Sequence, residues 1–196
     1  MTQHKSALIV FARNPVSGKV KTRLAEITGK EKALEIYKIL LENIYINIKD
    51  LNYGKFLFLS DYFDENLFDP GFTQVIQKGS DLGEKMYGAI DSVLKAGFEK
   101  VIIIGTDIPG IDYKIISEAF NELSYCDVVI GPARDGGYYL IGMKEPDVSL
   151  FENMEWGSDR VLSETIIRIN KKDGSFYLLK ELNDIDTYED LKYFNL

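Results

Sequence analysis

The segment KVIIIG, Lys100 to Gly105, constrains the fold more than any other part of the chain. Four consecutive β-branched residues favour an extended backbone, and with apolar side chains on both sides of the pleat both faces must be covered. Strands covered on both faces belong to parallel sheets flanked by helices. The neighbouring segments agree. Asp81 to Lys95 reads as a helix ending near Gly97, with Met86, Ile90, Val93 and Leu94 on one face. Asp112 to Leu123 reads as a second helix.

The alternation extends along the chain. Ser6 to Ala12 (SALIVFA) is fit for a buried strand, and Lys30 to Asp50 has apolar residues at helical spacing. Lys55 to Leu59 and Thr73 to Ile76 read as strands. Asp127 to Gly131 and Tyr138 to Gly142 read as strands around a glycine-rich turn. Asp159 to Ile169 is expected to be helical, Ser175 to Leu179 extended, and Thr187 to Phe194 a last helix. The fold expected is α/β: one domain with an open, twisted, mostly parallel sheet and helices on both faces. A length of 196 residues suits one such domain. Ligands of these sheets bind outside the carboxyl ends of the strands, which singles out the loops after Ala12, Ile76, Gly105 and Gly131.

Absent residue types narrow the chemistry. Cys126 is the only cysteine and His4, near the N-terminus, the only histidine. Mechanisms built on Ser-His-Asp or Cys-His, intrachain disulfides and cysteine zinc sites are therefore not expected. A catalytic metal would need carboxylate ligands, which favours Mg²⁺ or Mn²⁺. The formal net charge of −8 argues against nucleic acid as a partner. Neither a signal-peptide core nor a membrane-length apolar run is visible, so the expected location is the cytoplasm.

Charge is unevenly spread. Arg13 to Arg23 holds Arg13, Lys19, Lys21 and Arg23 with no acidic residue, and Glu181 to Asp190 is purely acidic. The basic segment, NPVSGKVKTR after the first strand, departs from the Walker P-loop at Arg13 and Val20. Gly18 still lets a phosphate approach the backbone, with Lys19, Lys21 and Arg23 supplying charge. A solvated basic turn remains the alternative. Gly105-Thr106-Asp107-Ile108-Pro109-Gly110 delivers Asp107 to the sheet edge, where it can hold a divalent ion against a diphosphate. Its alternative role is capping the following helix, for which Asp112 is better placed. Asp135-Gly136-Gly137 reads as a turn, or as a substrate-binding carboxylate with room beside it. Gly79, Ser80, Asp81 and Gly83 open a helix whose free N–H groups suit an anion or a base, a plain cap being sufficient. Asp186 or Thr187 caps the last helix, or a carboxylate of Asn183 to Thr187 approaches the metal. Trp156 stacks on a sugar or base, or belongs to the core.

Taken in order, FARNPVSGKVKTRLA, QKGSDLGEKM, IIIGTDIPG, GPARDGGYYLIGMK, EWGSDRVLSET and NDIDTYEDL cover nearly the whole chain. They resemble a prokaryotic family of glycosyltransferase-A-fold proteins described as nucleotide-diphospho-sugar transferase-like, some linked to arsenosugar biosynthesis. The resemblance implies that residues 1–196 form one such domain and that Asp107, in Asp-Ile-Pro rather than Asp-x-Asp, stands at the metal motif. KTRLA, Lys21 to Ala25, is similar to the triphosphate-binding segment of phospholactate guanylyltransferases. Asp186 is similar in position to an acidic element of nucleotidyltransferases of this fold.

Three functions follow as expectations. The first is a metal-dependent glycosyltransferase taking a nucleoside-diphosphate sugar and a small acceptor. There the base and ribose lie against Phe11, Ala12, Arg13 and Asn14 and the Gly79 to Gly83 turn. Thr106 and Asp107 lie at the diphosphate, and Lys19 and Arg23 stabilise the leaving group. Asp135 is the base, with Gly136, Gly137 and Trp156 around the acceptor. In the second, a nucleotidyltransferase, a phosphate or hydroxyl attacks the α-phosphorus of a nucleoside triphosphate and pyrophosphate leaves. Lys19, Lys21 and Arg23 hold its phosphates, and Asp107 with Asp186 the metal. The third is a nucleotide-binding module without turnover.

Overall fold

In the computed structural model, which describes residues 5–193, the apolar runs pair into one seven-stranded sheet. Its strands are β1 (Ser6–Ala12), β2 (Gly54–Leu59), β3 (Thr73–Ile76), β4 (Lys100–Ile104), β5 (Val128–Pro132), β6 (Tyr138–Met143) and β7 (Phe176–Leu178). They lie in the order β3-β2-β1-β4-β6-β5-β7. All neighbours are parallel except β6, which runs antiparallel to both β4 and β5. The tight connection between β5 and β6 forces that reversal, because parallel neighbours need a long crossover. The expected mostly parallel sheet is therefore the one observed.

Alternating strand residues feed two cores. Leu8, Val10, Leu57, Ile102, Ile104 and Leu140 pack under α2 (Lys30–Ile48) and α4 (Tyr113–Glu122). Ala7, Ile9, Val101, Ile103, Ile130 and Ile141 pack under α3 (Leu82–Lys95) and α5 (Val161–Asn170). This two-fold periodicity is what a strand covered on both faces requires.

Differences from the expectations are local. A short helix, α1 (Thr22–Thr28), follows the basic loop, where no helix was expected. Only Leu24 of it is fully covered, too little pattern to stand out in sequence. The helix expected to reach Asp50 ends at Ile48. In place of a last helix there is one 3₁₀ turn, Asp190–Tyr193; Phe194 and His4 lie outside the described residues. Among the described residues no helix is long and apolar enough to cross a membrane.

A third cluster positions the acidic segment. Ile185 is fully buried against Leu24, Ala33, Ile36 and Leu40 of α1 and α2. Burying an isoleucine is worth about 1.5–3 kcal/mol. Its neighbours Asp184 and Asp186 are thereby held at the carboxyl edge of the sheet, and the Ile185 N–H donates to the Asp107 carbonyl at 2.9 Å.

Candidate active site

A cavity of about 900 Å³ opens at the carboxyl ends of β1 and β4, between the loop after β1 and the start of α3. Of the residues expected at the site, Ala12, Arg13, Lys19, Lys21, Asp81, Thr106, Asp107 and Asp186 line it. Arg23 is not part of the lining; its side chain is largely exposed, with its guanidinium 2.9 Å from the Asp186 carboxylate. Gly18, Gly79, Gly83, Asp135, Gly136, Gly137 and Trp156 are not part of the lining.

The loop after β1 is built to aim its cations. Asn14, only 2 % exposed, accepts from the Asp61 N–H at 2.9 Å and donates its amide to the Tyr62 carbonyl at 2.9 Å. This ties the loop to the end of β2. Gly18 turns the chain with φ 75°. Buried Val20 anchors the loop in the core under α2. Lys21 takes the left-handed conformation, φ 48° and ψ 48°, which is rare for a residue with a side chain. Its ammonium enters the interior, 2.5 Å from the Asp107 carboxylate, and donates to the Ile185 carbonyl. The Lys21 side chain is 3 % exposed and that of Asp107 55 %, so the pair presents its carboxylate to the cavity and hides its cation.

Asp107 is free of capping duty. Asp112 caps α4, accepting from the Lys114 and Ile115 N–H groups at 2.9 and 3.0 Å. Asp186 caps nothing either; the Asp190 carboxylate accepts from the N–H groups of Asp186 and Thr187 and closes that turn itself. Burial, and then the negative charge of Asp135, push the Asp184 carboxyl above its ordinary range. Asp107 and Asp186 both line the cavity, the first beside Lys21 and the second beside Arg23. Among the described residues no cluster of three or more histidine, cysteine or acidic side chains could hold a metal. Two carboxylates fit Mg²⁺ or Mn²⁺, which keep waters and take substrate phosphate oxygens for their remaining positions.

The glycines expected near the ligand serve packing. A side chain on Gly83 would put its Cβ 2.4 Å from the Phe151 carbonyl oxygen and 2.9 Å from Trp156 Nε1. Trp156 packs edge-on against Tyr138, with ring centroids 6.3 Å apart. Asp81 caps α3, accepting from the Glu84 N–H at 2.8 Å, while Glu84 accepts from the Ser80 N–H at 2.8 Å. That reciprocal cap satisfies N–H groups the helix start would otherwise offer. Asp135 accepts from the Gly137 N–H at 2.9 Å, and the Gly136 carbonyl accepts from the Leu162 N–H at 2.9 Å.

Two residues at the cavity carry no charge and escape a search for charged motifs. Gln77 donates to the carbonyls of Ala12 and Phe58, at 2.9 and 3.0 Å, joining the ends of β1 and β2. Tyr37 reads in sequence as one more apolar position of α2, yet its hydroxyl meets the Arg13 backbone. The one available signal is a tyrosine where leucine would pack as well, since a buried phenol needs a partner.

Known proteins resemble this chain over nearly its whole length. The 2-phospho-L-lactate guanylyltransferase of Methanocaldococcus jannaschii is 28% identical over 191 residues, 93% of this chain and 80% of that protein. A Desulfovibrio desulfuricans G20 structure described as a nucleotide-diphospho-sugar transferase superposes with a TM-score of 0.89 at 28% identity, covering 98% of this chain and 90% of that one. The 4-diphosphocytidyl-2C-methyl-D-erythritol synthase of Anaerococcus prevotii shares the fold, with a TM-score of 0.63 at 15% identity over 97% and 94% of the two chains. A family profile described as "Uncharacterized protein conserved in bacteria (DUF2064)" matches residues 55–158, from β2 to just past Trp156. That span is more than half of the chain, which therefore belongs to the DUF2064 family.

Proposed function

We propose that this chain is a metal-dependent nucleotidyltransferase joining a nucleoside triphosphate to a small acceptor bearing a phosphate or hydroxyl group. The observation that carries this reading is the shared cavity. Arg13, Lys19 and Lys21 come to it from one loop, and Asp107 and Asp186 from two distant segments. In this reading two of the cations, Arg13 and Lys19, meet the outer phosphates of a triphosphate, and Lys21 backs Asp107. The likeness to a guanylyltransferase favours the same reaction and makes guanosine triphosphate the first donor to test.

In this reading an acceptor oxygen attacks the α-phosphorus as the bond to the β-phosphate oxygen breaks, and pyrophosphate leaves. Arg13 and Lys19 hold the departing phosphates. Lys21 fixes Asp107 and adds positive charge beneath the reacting group. Asp107 and Asp186 would hold Mg²⁺ or Mn²⁺, which when bound neutralises phosphate charge. Positioning and electrostatics supply the rate, and no covalent step on the protein is required.

The test is to incubate the protein with each nucleoside triphosphate, Mg²⁺ or Mn²⁺ and a panel of small phosphorylated acids, and to measure pyrophosphate. The expected release falls on the order of a thousandfold in Asp107→Asn. A second reading, sugar transfer, is favoured by the Desulfovibrio structure's description. Nucleoside diphosphate released from nucleotide sugars, with no pyrophosphate from triphosphates, would establish it instead. Nucleotide binding with neither product would leave the non-catalytic module.

A further inference from the structure

We propose that Tyr37 is a positioning residue, whose single hydroxyl locks the phosphate-gripping loop after β1 to the carboxylate-bearing loop after β4. The inference rests on the nucleotidyltransferase reading for its kinetic part only.

Tyr37 lies on α2, two turns into the helix, and is 2 % exposed. Its hydroxyl accepts from the Arg13 N–H at 2.9 Å and donates to the Arg13 carbonyl at 3.0 Å. The Thr106 hydroxyl donates to it at 3.4 Å. A phenol has one proton to give and two lone pairs, so these three bonds use its whole capacity. Arg13 and Thr106 both line the cavity, and Thr106 immediately precedes Asp107. The hydroxyl thus joins two loops 93 positions apart in sequence through one oxygen atom. Burial pushes the phenol up to about 12, which keeps its proton in place across the physiological range.

Packing and tethering are separable here. The ring sits in the core with Val20, Leu41 and Ile44, and phenylalanine would fill that space equally. Only the hydroxyl reaches Arg13. Once it is gone, Lys21 still ties Asp107 to the loop after β1, but the Arg13 backbone and Thr106 lose their shared anchor, and the alignment of the phosphates with the metal carboxylate loosens. A displacement of about 1 Å in a reacting group can cost roughly a hundredfold in rate.

A second tyrosine of the same helix supplies the control. The Tyr45 hydroxyl donates to the Asp69 carboxylate at 2.9 Å, away from the cavity lining. Tyr37→Phe and Tyr45→Phe remove the same atom from the same helix. Each variant is measured for thermal stability, for kcat and KM in pyrophosphate release, and for backbone hydrogen exchange over residues 11–14 and 104–108. Tyr37→Phe is expected to lower kcat about a hundredfold with a smaller change in KM, and to speed exchange in both segments together. Tyr45→Phe is expected to do neither. If Tyr37→Phe loses only thermal stability, with kcat and both segments unchanged, the proposal is overturned. Should the wild-type protein release no pyrophosphate, the functional reading fails, and hydrogen exchange alone decides whether Tyr37 couples the loops.

Discussion

Two segments leave the sheet at its carboxyl edge with similar ingredients and opposite uses. NPVSGKVKTR after β1 and ARDGG after β5 both combine glycine with charge. In the first, Asn14 reaches out to the chain after β2, Tyr37 of α2 holds the Arg13 backbone and Val20 enters the core, so Arg13 and Lys19 face the cavity while Lys21 turns inward to Asp107. In the second, the charge closes the turn itself: Asp135 accepts from the Gly137 N–H, and Gly136 presses on the chain before α5. Composition does not distinguish the two. What distinguishes them is where their anchors lie: side chains tie the first loop to β2 and α2, and backbone bonds tie the second to α5 and the acidic segment.

The largest effect that could break this contrast is expected at Lys21. Lys21→Met keeps the length of the side chain and removes the charge beneath Asp107, so kcat for pyrophosphate release should fall about two to three orders of magnitude. Unchanged steady-state turnover would make the first loop as structural as the second. Next is Gly136→Ala. With φ 88° and a Cβ only 2.2 Å from the Asp159 carbonyl oxygen, any side chain there displaces backbone. A cost on the order of 1–3 kcal/mol corresponds to a Tm roughly 5 °C lower by calorimetry, with the kcat of folded protein retained. A loss of kcat at unchanged Tm would move the second turn into the chemistry.

Smaller effects are expected from the acidic pair beside that turn. The Asp184 carboxyl is raised by burial and by Asp135. A raised acid favours the folded state while protonated, so its contribution is present below the ordinary carboxylate range and lost as pH climbs through the raised value. Asp184→Asn should therefore melt slightly higher than wild type at pH 7 and no higher in acid; equal melting curves across that range would contradict the assignment. Asp135→Asn should have the smallest effect, leaving pyrophosphate release unchanged. As the base of a sugar transfer its loss would cost about 10²–10⁴ in rate, so this one variant also separates the two reactions.

Strand and helix positions were largely legible because the central strands β1, β4, β5 and β6 bury both faces and α2, α3 and α4 have a broad apolar face. The antiparallel pairing of β5 and β6 was legible in the Asp-Gly-Gly hairpin turn between them; the insertion of β6 between β4 and β5 was not, because it depends on sheet order. Helix α1 was hidden because a seven-residue helix with one covered residue has no period to detect. At the site, the charged residues Lys19, Lys21, Asp107 and Asp186 could be picked out by chemistry. Asn14, Tyr37 and Gln77 could not be assigned their parts, because their work is to hold backbone carbonyls and N–H groups that only the folded chain brings near. Gly83 was read as opening a helix whose N–H groups suit an anion or a base; its close approach to Phe151 and Trp156, which leaves no space for a side chain, was not legible.

The bond from Lys21 to the Ile185 carbonyl has a consequence for how the protein is made. It spans 164 positions, and the contact between Arg23 and Asp186 spans 163. A nascent chain still lacking residue 185 can pair Lys21 with Asp107 but has no carbonyl to complete the lysine's seat. That seat is therefore completed only once the acidic segment has been made and Ile185 packs against α1 and α2.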